Sequence, residues 1–235
     1  MIRNGRSFTI GLVLAISFFL VLAAIYSPVF NGMNGLQFAD QLFNSIAKGS
    51  TYFIPEVKEQ VDGYRGQVID VTITLDSTDD AAKAAVLFEK SGAQVQTSGS
   101  EVKINGDLGN IAAAVVNDAD AMFNNEGDIM TEKYGYHKKD AMYHWWLALH
   151  EVDSVLKKQG AFKQASFVDE IVKRAVEPAY NFYGVKPERV SDFAGTVTGM
   201  LVFYIIYTVW WGFAIYFLFE GLGLNMSKAA HKEEV

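Results

Sequence analysis

The sequence has no cysteine. Disulfides, thiolate metal sites, covalent haem attachment through CxxCH, iron–sulfur ligation and an N-terminal lipid-modified cysteine all require one, so none is open to this chain. Charge is missing from two long stretches: Phe8–Phe30 and Gly195–Phe219 run for 23 and 25 residues without a charged side chain, the second closed by Glu220. No basic stripe interleaved with aromatics occurs, and with a net charge of −7 this argues against nucleic acid as a partner. The standard catalytic patterns are missing too. There is no Walker loop, no GxGxxG after a strand, no GxSxG and no EF-hand, and His150-Glu151 does not begin an HExxH, because position 154 is Ser154. The expectation is a protein that is not an enzyme.

What is present starts with the two uncharged runs. A 25-residue helix rises about 37 Å, against roughly 30 Å of bilayer hydrocarbon, so the second run spans with some tilt. The first run follows Arg3 and Arg6, exceeds the apolar core of a signal peptide, and lacks an A-x-A-like site, with Tyr26-Ser27-Pro28 at its end. It reads as an uncleaved signal anchor. Arg3 and Arg6 precede it and only Lys48 follows it closely, so the N-terminus is expected in the cytoplasm. Lys228 and Lys232 in the tail agree, although Lys186 and Arg189 balance them across the second span. The expected organisation is a cytoplasmic N-terminus (1–7), a transmembrane helix (8–30), an extracytoplasmic α+β domain (31–125) and an extracytoplasmic helical hairpin (126–194). A second transmembrane helix (195–224) and a cytoplasmic tail (225–235) follow. This places the protein in the cell (inner) membrane. An apolar share of 50% beside a charged share of 20% suits an anchored soluble domain better than a polytopic bundle. The sole glycosylation sequon, Asn225-Met226-Ser227, adjoins the second span and decides little.

The central portion carries patterns of both periods. Leu36, Ala39, Leu42, Phe43 and Ile46 have helical spacing behind an Asn34 cap, and an irregular segment containing Pro55 follows. In QVIDVTITL, Ile69, Val71, Ile73 and Leu75 alternate with polar residues, the signature of a half-buried strand. A helix over Asp79–Ser91 ends at Gly92, and Gln94–Thr97 and Glu101–Asn105 flank Ser98-Gly99-Ser100 as a hairpin. Asp107 caps a further helix striped by Leu108, Ile111, Ala112, Val115, Ala119 and Met122. The order β-α-β-β-α resembles most of a ferredoxin-like unit without its last strand, an architecture that by itself implies no particular function. NNEGD reads as a loop, and two aromatic helices, Asp140–Gln159 and Ala161–Gly184, then pair across Gly160, with Pro178 kinking or ending the second.

Candidate chemistry is sparse. His137, His144 and His150 cluster, but no two can chelate one ion from a single helix. Asp140 with His144, and His150 with Asp153, could each form half a metal site; the plainer reading pairs these histidines with carboxylates on the helix surface. Neither span contains His, Lys, Arg or Asp, so the two helices alone cannot build a haem site or an ion pathway, and no cofactor is expected. Small residues are spaced for close helix approach at Gly11-x3-Ala15, Gly195-x3-Gly199 and Thr208-x3-Gly212. Tyr204, Tyr207 and Trp211 lie mid-span, where their polar atoms want partners. Trp145 and Trp146 are either docking anchors or core. The reading that follows is an accessory, anchoring or assembly subunit of a larger membrane complex. Its partners are the bilayer and either other subunits or a second copy. The alternatives are a ligand- or metal-binding sensor domain signalling through a partner, and a membrane-anchored enzyme using His144 or His150 as base.

Overall fold

The computed structural model describes residues 2–224. The tail 225–235, with the sequon at Asn225, Lys228, His231 and Lys232, lies outside the described residues. By its contacts the chain forms two units, one of Met1–Phe43 with Arg189–Val235 and one of Asn44–Glu188.

The first unit is built on α1 (Gly5–Tyr26) and α10 (Ala194–Leu222). The helical segments Gly5–Tyr26 and Val190–Leu222 are both long and apolar enough to cross a membrane. Helix α1 starts three residues before the uncharged run, because the Asn34-like role at this end falls to Asn4, whose side chain accepts from the Ser7 amide. It stops at Tyr26, short of the end of that run, because Ser27 precedes Pro28 and takes an extended conformation. A tight turn follows, with Asn31 and Gly32 both at positive φ between the bridged pair Phe30 and Met33. Helix α2 (Gly35–Ser50) then opens with a reciprocal cap: Gln37 N donates to Asn34 Oδ1 at 2.9 Å, and Asn34 N donates to Gln37 Oε1 at 3.0 Å.

The Asn44–Glu188 unit is mixed α+β. Helix α3 (Ile54–Val61) replaces the irregular segment expected around Pro55. Proline is tolerated in a first turn, where its missing N–H has no helical partner, and Ile54, Val57 and Val61 supply a buried stripe. Strands β1 (Val68–Thr74), β2 (Gln94–Ser98) and β3 (Glu101–Asp107) form a three-stranded antiparallel sheet in the order β1-β3-β2. In β1 alternate residues are buried, and Val71 faces Ile104 while Ile73 faces Val102. Gly99, at φ +62°, allows the two-residue turn that sets Ser98 opposite Glu101. Helix α4 (Thr78–Lys90) lies between β1 and β2 in sequence, and α5 (Leu108–Phe123) follows β3.

Helix α6 (Asp128–Tyr134) starts at the last residue of the NNEGD loop and runs through a stretch to which the sequence pattern assigns no element; it buries Met130 and Tyr134 and ends at Gly135 in the left-handed conformation. Helix α7 (Lys138–Lys158) pairs with α8 (Phe162–Ile171), which runs through one π-turn, Val172–Val176, into α9 (Glu177–Asn181). One hydrophobic core joins all of these. Val71, Phe88, Val115, Trp145, Val168 and Ala175 belong to a single buried cluster, so the sheet unit and the aromatic helix pair share one interior.

Candidate functional site

Helix α7 carries most of the polar and aromatic side chains singled out by sequence, and it distributes them over different faces. Trp145 lies in the core, fully buried, with Phe88 edge-on at 5.2 Å. Its Nε1 donates to Asp118 at 3.0 Å; Asp118 also accepts from Lys133 Nζ at 2.9 Å and from the Tyr134 hydroxyl. Burial, with the Asp118 carboxylate next in weight, pushes the Tyr134 phenol well above its ordinary value; burial does the same to Tyr136. Of the two readings of the tryptophan pair, Trp145 takes the core one.

His144 is also buried. Its Nδ1 lies 2.6 Å from the Asp140 carbonyl oxygen and its Nε2 lies 3.0 Å from Asp80 Oδ1. Both ring nitrogens face acceptors, so only the doubly protonated ring donates to both. The carboxylate that meets His144 is thus Asp80 on α4, and Asp140 contributes its backbone. Asp80 is held below the usual aspartate range, first by the Ser77 hydroxyl and then by His144. His150 is set apart: its Nδ1 is 2.9 Å from the Trp146 carbonyl oxygen and its ring packs 4.4 Å from the Trp146 ring. Asp153 binds Lys157 at 2.6 Å. Among the described residues no three His, Asp or Glu side chains come together as a metal-ligand set.

Trp146 faces a cavity of about 350 Å³ lined by Tyr143, Trp146, Val176, Glu177, Tyr180 and Asn181. Trp146 Nε1 donates to Glu177 Oε1 at 3.1 Å, and Tyr143 lies alongside in near-parallel orientation at 6.0 Å. The π-turn forms the opposite wall: Glu177 N reaches back five residues to the Val172 carbonyl, immediately before Pro178. A regular helix would drive the proline ring into the carbonyl four residues earlier, and the wider turn relieves this. The sequence marks Pro178 as a kink but gives no sign that the widening brings Val176, Glu177 and Tyr180 to face Trp146.

Lys48, which the sequence reading counts only towards orientation, is buried. Its Nζ donates to Val185 O at 2.7 Å, Phe182 O at 3.0 Å and Asn125 Oδ1 at 3.2 Å, and lies 5.0 Å from the Phe123 ring centre. Burial pulls its pKa below the ordinary lysine value.

In the other unit, the small residues fall into two groups. A Cβ on Gly11 would stand 2.6 Å from the Leu218 amide, and one on Gly221 would stand 2.6 Å from Phe8 backbone, so these glycines let α1 and α10 touch. Gly221 has no small residue four positions away to flag it. Gly195, Gly199 and Gly212 have nothing of the described chain within 4 Å of such a Cβ. Phe18 stacks on Tyr207 at 4.2 Å and packs against Trp211 at 4.6 Å, while Tyr204 stands exposed. Trp210, which the spacing argument passes over, donates from Nε1 to Leu14 O at 3.1 Å. Ala15 is half-buried and Thr208 donates to its own helix at Tyr204 O. Alongside runs an open apolar groove of about 570 Å³ that includes Leu14, Ile206, Val209 and Phe213.

Compared with known proteins, the chain matches no family model, no curated protein sequence and no solved structure.

Proposed function

We propose that the protein is an accessory or assembly subunit of a larger membrane complex, anchored by two spans and docked through the free side of α10. In this reading 31–194 lies outside the cytoplasmic membrane, both termini lie inside, and the β-α-β-β-α segment is a ferredoxin-like half. The observation that carries the reading is the groove on α10. Gly195 and Phe213 stand 18 residues apart, about five turns, so the Gly195/Gly199 stripe and the groove share one helix face. Small residues followed by an aromatic-lined groove make a close seat for another transmembrane helix, because association in lipid depends on close packing and not on burial of apolar area. Tyr204, exposed about two and a half turns from Gly195 and so on the opposite side of the same helix, has a hydroxyl that lipid cannot satisfy and calls for a protein contact of its own.

The test is extraction of the full chain in mild maltoside detergent, followed by native mass spectrometry. The reading expects one or more co-purifying chains, lost in a Gly199→Leu variant that still folds. A monomer extracted alone under all gentle conditions contradicts it.

A further inference from the structure

The cavity beside Trp146 has a composition that selects its ligand. Tyr143, Trp146 and Tyr180 present three aromatic rings, and Glu177 is the one charged group in the lining. Ring faces are negative and attract cations; in a partly dry site they do so most strongly for ammonium groups that shed water cheaply. We propose that this cavity binds a quaternary ammonium group, of the kind carried by choline, betaine or a phosphocholine headgroup.

The geometry supports this at each wall. Glu177 accepts from Trp146 Nε1 through Oε1, which orients the indole and leaves Oε2 for the bound cation. Trp146 packs against Tyr143 at 6.0 Å and against His150 at 4.4 Å, so the ring is held before a ligand arrives. The π-turn supplies a second, separate observation. Such turns occur mostly as single insertions, frequently at functional sites, and this one ends at Val176 and Glu177, both in the lining.

Other ligand classes fit less well. An anion meets the Glu177 carboxylate, and a neutral apolar ligand desolvates that charge without compensation. A metal ion finds a single carboxylate among aromatic rings, far short of a coordination set. At the rim, Lys139 Nζ stands 5.8 Å from the Tyr180 ring centre and 5.9 Å from that of Tyr183. It disfavours a bare cation and favours one with an anion close by, so betaine and phosphocholine bind more tightly than tetramethylammonium. The inference concerns Asn44–Glu188 alone and does not depend on the docking reading.

The experiment is isothermal titration of the full chain in maltoside detergent, which has no choline group, with choline, betaine, phosphocholine and 3,3-dimethylbutan-1-ol, the uncharged carbon analogue of choline. Saturable binding of the ammonium compounds is expected, with the uncharged analogue weaker by about tenfold or more. Glu177→Gln, which keeps an acceptor for the Trp146 indole and removes the charge, and Tyr180→Leu, at an exposed ring, should each weaken binding by about tenfold with the melting temperature unchanged. Binding of free choline or betaine assigns a soluble ligand. Binding confined to phosphocholine and a short-chain phosphatidylcholine assigns a lipid headgroup. No saturable binding by any of these compounds overturns the proposal, as does equal affinity for the uncharged analogue or an unaltered affinity in Glu177→Gln.

Discussion

Lys48 takes a positive charge into the Asn44–Glu188 interior, where three oxygens, two of them backbone carbonyls, surround it. Those oxygens belong to Asn125 and to the Phe182–Val185 turn, so the ammonium ties the end of α2 to the chain leaving α9. Lys48→Met has nearly the same length and no charge. It removes three charge-assisted hydrogen bonds, although Asn125 Oδ1, Val185 O and Phe182 O each keep another donor (Gly184 N, Asn125 Nδ2 and Val185 N), and should lower stability by about 1–3 kcal/mol, measured by denaturant melting; unchanged stability would contradict the role. In the native protein the depressed folded pKa means that the unfolded chain binds more protons between that value and about 10.4, so stability from this group rises with pH across that window. The Asp80–His144 pair acts at the other end of the scale. With its folded pKa below the ordinary value of about 3.9, Asp80 contributes stability above that pH and loses it as pH falls through the folded pKa. Asp80→Asn should flatten the acid limb of the melting profile, and an identical limb would refute the assignment. The sequence identifies His144 as carboxylate-paired but offers the neighbour four residues away; the partner found is 64 residues away, which one-dimensional spacing cannot reveal.

Among the elements, the strands and their hairpin are legible because period-2 alternation and Ser-Gly-Ser leave few alternatives. Helices α3 and α6 are not, since each has fewer than nine residues and opens beside residues, Pro55 and the glycine of NNEGD, that usually signal loops. The cavity was hidden for a related reason: a π-turn rotates everything after it, so faces computed at a regular 100° per residue misplace Glu177 and Tyr180. Glycines in the long helices make a sharper test. Gly221→Leu forces atoms into Phe8 backbone and should loosen the α1–α10 pair by about 1–3 kcal/mol, while Gly199→Leu meets open space and should leave it intact. Thermal unfolding of both variants in detergent checks the contrast. Equal destabilisation would mean that the glycines do not divide between inner and outer faces.

For the whole molecule, the two uncharged runs are the plainest feature of the sequence, and α1 and α10 follow them closely. Orientation is a further step, resting on Arg3 and Arg6 ahead of the first span. The absence of cysteine makes the decisive measurement clean, because any single introduced thiol is the only one present. Ser98→Cys, at the exposed hairpin, and Ile2→Cys, ahead of α1, would each be treated with a membrane-impermeant maleimide in intact spheroplasts and again after lysis. The account predicts that Cys at 98 labels before lysis and Cys at 2 labels only after it. Labelling of position 2 in intact spheroplasts, with position 98 protected until lysis, would contradict it.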